Sequence, residues 1–128
     1  MKLRRRDLAF LMPALAAAQT FRNEDIRPVR SGALTSRQML KAKTHTGFAL
    51  DLHESELPAG DAPHPPHRHA HEELLLIREG TLEVTIDGKA ATLGPGSTAY
   101  LQSNLEHGWR NVGTTTARYF VLALGDDQ

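Results

Sequence analysis

Three tight-turn signals, Glu79-Gly80, Asp87-Gly88 and Gly94-Pro95-Gly96, fall within a window of eighteen residues. The runs between them are too short for a helix of ordinary length, so this part of the chain must be built from short strands. Leu82, Val84 and Ile86 alternate with Glu83 and Thr85, the period-two pattern of a strand with one buried face. Asp87-Gly88 then separates this run from Lys89–Leu93, which predicts a β-hairpin. Further strands are expected over Leu74–Ile77, Thr98–Leu101, Gly108–Val112 and Ala117–Leu124. Upstream, Phe48, Leu50 and Leu52 alternate with Ala49, Asp51 and His53, which puts the three large apolar side chains on a core face and His53 at the surface. Four prolines and a glycine between Pro58 and Pro66 mark a loop. The expected class is all-β, a sandwich or barrel. Phe21 to Lys43 is expected to add an edge strand or a dimer contact, with Met39–Lys43 readable as strand or helical turn.

A chain of 128 residues suits one domain. It contains no cysteine, which excludes disulfides, thiolate metal sites and cysteine nucleophiles. Formal net charge is zero and like charges run together only in the first six residues, so no nucleic-acid partner is expected. That basic start, Lys2, Arg4, Arg5 and Arg6, precedes an uncharged apolar run from Leu8 to Ala18 that closes on Ala16-x-Ala18. This is the layout of a secretory signal peptide, and Arg5-Arg6 loosely resembles a twin-arginine signal. The expected organisation is a signal over 1–18, an arm or edge strands over 19–46, and a barrel over 47–125. The product would be exported, periplasmic or secreted, with no membrane attachment after cleavage. Without cleavage it would be cytoplasmic.

Seven histidines are the compositional anomaly, and His53, His64, His67, His69 and His71 lie within nineteen residues. His67 and His69, two apart, would share one face of a strand and could share an ion. Imidazole suits Zn, Cu, Fe and Ni, while a carboxylate adds affinity for Mn or Fe. Glu73 is close enough in sequence to add an oxygen ligand. A fourth ligand has to come from a distant strand, and His107 is the only histidine after His71.

Together these residues resemble the two motifs of the cupin family. The first reads Gly60, six residues, His67-Arg68-His69, three residues, Glu73, six residues, Gly80; only its first gap is off, by one. The second reads Gly96, five residues, Gln102-Ser103-Asn104, two residues, His107, three residues, Asn111. The usual proline and glycine of that motif are here Gln102 and Asn104, a departure in a turn and not in a ligand. The resemblance spans roughly Phe48 to Leu124. It implies a double-stranded β-helix, or jelly-roll barrel, holding one divalent metal ion (Fe, Mn, Ni, Cu or Zn) on His67, His69, Glu73 and His107.

His69-x-His71 is a competing pair, but the glutamate that should follow His71 by four is Leu75, so His71 is expected outside the ligand set. His64 is expected to be a solvated loop residue and His45 a surface one. By parity with Glu73 and His107, Leu75, Ile77, Trp109 and Asn111 point inward, with Tyr100 and Phe120 as further aromatic lining, while Arg68 and Arg110 point outward. Asn111 is expected to fix backbone. No basic cluster accompanies the motifs, which favours an aromatic or enol-type ligand over a sugar phosphate.

The function expected on this basis is a small metal-dependent, oxygenase-type enzyme acting on a small organic substrate, with Glu73 as ligand or catalytic base. The alternatives are a Lewis-acid isomerase or decarboxylase with the same ligands, and a metal-bearing binding module without turnover. A homodimer is the expected assembly.

Overall fold

The computed structural model describes residues 13–15 and 17–126. Apart from a short 3-10 turn at Asn23–Asp25, the regular structure among the described residues is nine strands: β1 (Val29–Ser31), β2 (Leu34–Lys43), β3 (Ala49–Leu57), β4 (Glu72–Glu79), β5 (Leu82–Ile86), β6 (Lys89–Leu93), β7 (Thr98–Leu101), β8 (His107–Asn111) and β9 (Ala117–Leu124). They form two antiparallel sheets, one in the order β1-β2-β3-β9-β4-β7 and one in the order β6-β5-β8. This is the double-sheet jelly roll. The expected signal segment lies for the most part outside the described residues. Of its described part, Pro13 and Leu15 share backbone hydrogen bonds with Lys43 at the end of β2.

The β5–β6 hairpin closes on Asp87 and Gly88, both at positive φ (50° and 77°), which matches the strand twist of a two-residue turn. The closed sheets bury Leu57, Leu75, Ile77, Leu82, Val84, Leu101, Trp109, Ala117, Tyr119 and Val121 between them. Burying each large apolar side chain in such a core contributes about 1.5–3 kcal/mol. At Gly80 the chain turns with φ +86°, and a Cβ there would meet the Ala117 Cα at 2.8 Å. Both the backbone angle and the contact demand glycine.

β2 is strand along its whole length, with a bulge between Gln38 and Leu40, so Met39–Lys43 is not helical. The apolar alternation at the start of β3 reads the wrong way round. Ala49, Ser55 and Leu57 are buried, whereas Phe48 is half exposed. Leu52 faces outward with Leu74, Leu76, Phe120 and Leu122, because the outer face of the six-stranded sheet is itself apolar. Tyr100 and Phe120 share that outer face and do not line the interior; the inward aromatic of β9 is Tyr119, fully buried.

Candidate metal centre

The four candidate ligands arrive from different parts of the fold. His67 lies in the loop before β4, yet it exchanges both backbone hydrogen bonds with His107 at the start of β8 (2.9 and 2.8 Å). That antiparallel bridge sets the two residues directly opposite each other. Gly108 permits it, since Pro66 packs 3.2 Å from where a Cβ would stand. Asn104 takes the left-handed conformation (φ 61°) at the position where the motif has glycine, one that asparagine tolerates better than most residues. Its N–H donates to the His69 carbonyl at 2.8 Å, and the Ser103 hydroxyl donates to the Ala70 carbonyl. The altered turn therefore still ties down the histidine loop.

The rings of His67, His69 and His107 form a nearly equilateral triangle. Their centroids are 4.9, 4.9 and 4.7 Å apart and the ring planes meet at 75–79°. Each ring offers a nitrogen within 4.8 Å of the other two. Nitrogens bound to one ion at about 2.1 Å lie at most about 4.2 Å apart, so the cluster is close to a coordinating arrangement. Glu73, inward on β4, faces the same point: its Oε1 is 3.2 Å from His69 Nε2 and its Oε2 is 3.9 Å from His107 Nε2.

Two hydrogen bonds determine which nitrogens are available. His107 Nδ1 donates to the Leu105 carbonyl (3.0 Å) and His69 Nδ1 donates to the His71 carbonyl (2.8 Å). A carbonyl only accepts, so Nδ1 carries the proton and each neutral ring presents its Nε2 lone pair to the centre. His69 Nε2, His107 Nε2 and Glu73 Oε2 are all buried without a hydrogen-bond partner. Three lone-pair donors turned toward one another in a closed sheet leave an unmet acceptor demand that a divalent cation satisfies. The cluster could hold a metal ion, and the donor set fits one.

His71 is nearer than its sequence position suggested. Its Nε2 donates to Glu73 Oε1 at 3.0 Å, and its ring stacks parallel on His69 at 3.8 Å. His69, His71 and Glu73 thus form a second potential ligand group overlapping the first. The hydrogen bond to the carboxylate makes His71 an orienting partner of Glu73, leaving Oε2 for the centre. His64 is not a solvated loop residue: it stacks on His67 at 4.0 Å and meets Trp109 edge-on at 5.8 Å. Asn111 is fully buried, and its amide donates to the Leu57 and Thr115 carbonyls while accepting from the Gly113 N–H, so it pins three stretches of backbone. Leu75, Ile77 and Trp109 point inward and Arg110 outward, as parity implied. Arg68 faces out beside Glu106.

Partial desolvation of the His67 ring, with crowding by His64, His107 and His69, holds its pKa below the usual imidazole value. Burial does the same to His107, against the opposing pull of the Leu105 carbonyl and of Glu73. Both shifts favour the neutral, metal-ready form.

The family profile described as Cupin domain matches residues 53–123, more than half of the chain. Over 80 residues the chain is 34% identical to L-ectoine synthase of Bordetella parapertussis, covering 62% of this chain and 60% of that protein. The same values hold for L-ectoine synthase of Bordetella bronchiseptica, so the match spans about 60% of the length of these curated relatives. Among solved structures, an RmlC-like cupin from Shewanella frigidimarina superposes with TM-score 0.71 at 18% identity, covering 85% of this chain and 93% of that one. The polyketide cyclase RemF of Streptomyces resistomycificus gives TM-score 0.70 at 21% identity over 86% and 81%. A predicted oxalate decarboxylase from Thermotoga maritima gives 0.70 at 20% over 84% and 100%. At these identities the three structures speak for the fold alone.

Proposed function

The chain belongs to the cupin family, and from that premise we propose that it is a metal-dependent enzyme acting on a small organic substrate inside the barrel. The observation that carries this reading is the convergence of three buried, unpartnered donor atoms, His69 Nε2, His107 Nε2 and Glu73 Oε2, on one point. His67, His69, Glu73 and His107 would hold one divalent ion. Such an ion supplies Lewis-acid activation of a substrate oxygen and, if redox-active, chemistry with O₂. The three imidazoles act only as neutral ligands. Glu73 either remains bound or, released from the centre, takes a substrate proton and is held in place by the hydrogen bond from His71.

Two chemistries use this site. The oxygenase-type reading follows from an open, mixed nitrogen and oxygen donor set that suits Fe or Mn. The relation to L-ectoine synthase, a synthase and not an oxygenase by name, favours the second, a non-oxidative Lewis-acid reaction. Parallel assays of the Fe- and Mn-loaded protein with and without O₂, on a panel of enols, catechols and keto acids, separate them. Product that appears only with O₂ consumption supports the oxygenase, and equal product without O₂ supports the Lewis-acid enzyme. Tight ligand binding with no product in either arm supports a non-catalytic binding module.

We also infer a homodimer and an exported product. The outer face of the six-stranded sheet leaves Leu74, Leu76 and Tyr100 exposed beside the half-buried Leu52, Phe120 and Leu122, an apolar face that a second copy of the chain would cover. Sedimentation should return twice the chain mass. The basic start and apolar run of residues 1–18 support export, for which the mass of the protein recovered from the host's periplasm is the check.

A further inference from the structure

We propose that His71 is a reserve ligand of the centre, an imidazole that takes the coordination position of Glu73 when the carboxylate leaves to accept a proton. This rests on the metal reading above and adds a further side chain to it.

His71 misses the motif only because Leu75, and not a glutamate, follows it by four. The fold brings it to the ligands all the same, and two donor groups overlap there. One atom each of His67, His69 and His107 lie within 4.8 Å of one another, and so do those of His69, His71 and Glu73. Among the described residues, no other histidine, aspartate or glutamate joins either group. His71 Nε2 stands 3.0 Å from the Glu73 carboxylate, nearer than His69 Nε2 (3.2 Å) or His107 Nε2 (3.9 Å). Two ligands of one ion at right angles, each about 2.1 Å from it, are about 3.0 Å apart. The nitrogen is therefore one coordination edge away from the carboxylate it would replace.

The stack on His69, with ring planes 10° apart and centroids 3.8 Å apart, decides when this happens. Parallel rings direct their Nε2 atoms side by side, so His71 cannot share an ion with His69 until its ring turns out of the stack. With the carboxylate in place, His71 donates to Oε1 and stays where it is. Once the carboxylate has gone, nothing at Oε1 accepts the Nε2 proton. The neutral ring then carries its proton on Nδ1 instead, exchanged through the cavity of about 240 Å³ that His71 and Glu73 both line, and Nε2 offers a lone pair. His71 thereby completes the ligand set while Glu73 acts as base. A neutral imidazole in place of a carboxylate also leaves the centre more positive, which strengthens Lewis-acid activation at the step in which Glu73 takes the proton.

The test uses the full-length chain loaded with Cu(II), whose pulsed EPR spectrum counts coordinated imidazoles, together with chelator competition for affinity. The wild type should show the imidazoles of His67, His69 and His107, and Glu73→Ala should show one more. Glu73→Ala/His71→Ala should return to the wild-type count and bind Cu(II) more weakly than Glu73→Ala by about tenfold or more. If His71 acted only by orienting the carboxylate, that second loss would stay within about twofold, the ordinary error of additivity. No added imidazole in Glu73→Ala, or a double variant that binds as tightly as Glu73→Ala, overturns the proposal while the metal reading stands. An added imidazole that persists in the double variant comes from another ring and overturns it as well. Glu73→Val, whose side chain suits a strand, carries the same comparison should Glu73→Ala lose its β-sheet spectrum. A wild type that takes up no Cu(II) overturns the metal reading and this proposal with it.

Discussion

At the residue scale, the centre depends on which atom of each side chain is free to donate. His69 and His107 spend their Nδ1 protons on backbone carbonyls, and His71 spends its Nε2 proton on Glu73. His71→Ala should therefore weaken metal affinity by roughly 10–100-fold without removing a ligand, the usual effect of losing an outer partner. Competition with a metallochromic chelator measures it; an unchanged affinity would mean that His71 does not orient Glu73. Protons compete for the same lone pairs, so affinity should fall as pH drops through about 6. The clustering of the four candidate ligands was legible in the chain because His67, His69 and Glu73 lie close together in sequence and His107 is the only histidine after His71. The roles of His64 and His71 were not, since a ring stack and a hydrogen bond to Oε1 depend on how the loop folds back.

At the scale of elements, strands β5 to β9 were legible nearly to the residue because Asp-Gly and Gly-Pro-Gly turns punctuate them. The facing of β3 was not. Hydrophobic alternation identifies the buried face only when the other face is polar, and here the outer face carries Leu52, Leu74, Leu76, Phe120 and Leu122. The inner face of β3 is polar at Asp51 and His53 because it lines a cavity there and not the packed core. Gly80 tests the turn between β4 and β5. Gly80→Ala must both adopt φ near +86° and displace Ala117, and should cost about 1–3 kcal/mol. A melting temperature within a degree of the parent would contradict that account. Asn111→Ala, which strips the partners from two backbone carbonyls and one N–H, should cost a further few kcal/mol, about 1–3 for each buried group left unpaired.

At the scale of the whole molecule, the metal-free protein should become less stable in acid, and the sign follows from the histidines. Burial holds His107 below the usual imidazole pKa, and partial desolvation with crowding does so for His67, so the folded state binds fewer protons than the unfolded chain. Their contribution is fully present above about pH 6.5, the unfolded value, and is lost as pH falls through the depressed folded values. Urea midpoints across that range should fall with acidification, and less steeply in His67→Ala. A bound ion adds stability by mass action: at a free concentration one hundred times its Kd, about 2.7 kcal/mol. For a domain of this size that raises Tm by about 10 °C.

The most direct test is the metal content of the wild-type protein and of His107→Ala, each metal-loaded, desalted at neutral pH and measured by elemental analysis beside circular dichroism. One ion per chain in the wild type, and none in a His107→Ala variant that keeps its β-sheet spectrum, is the predicted result. A full metal complement in His107→Ala, or none in the wild type, would contradict the convergence of His67, His69, Glu73 and His107 on a single ion.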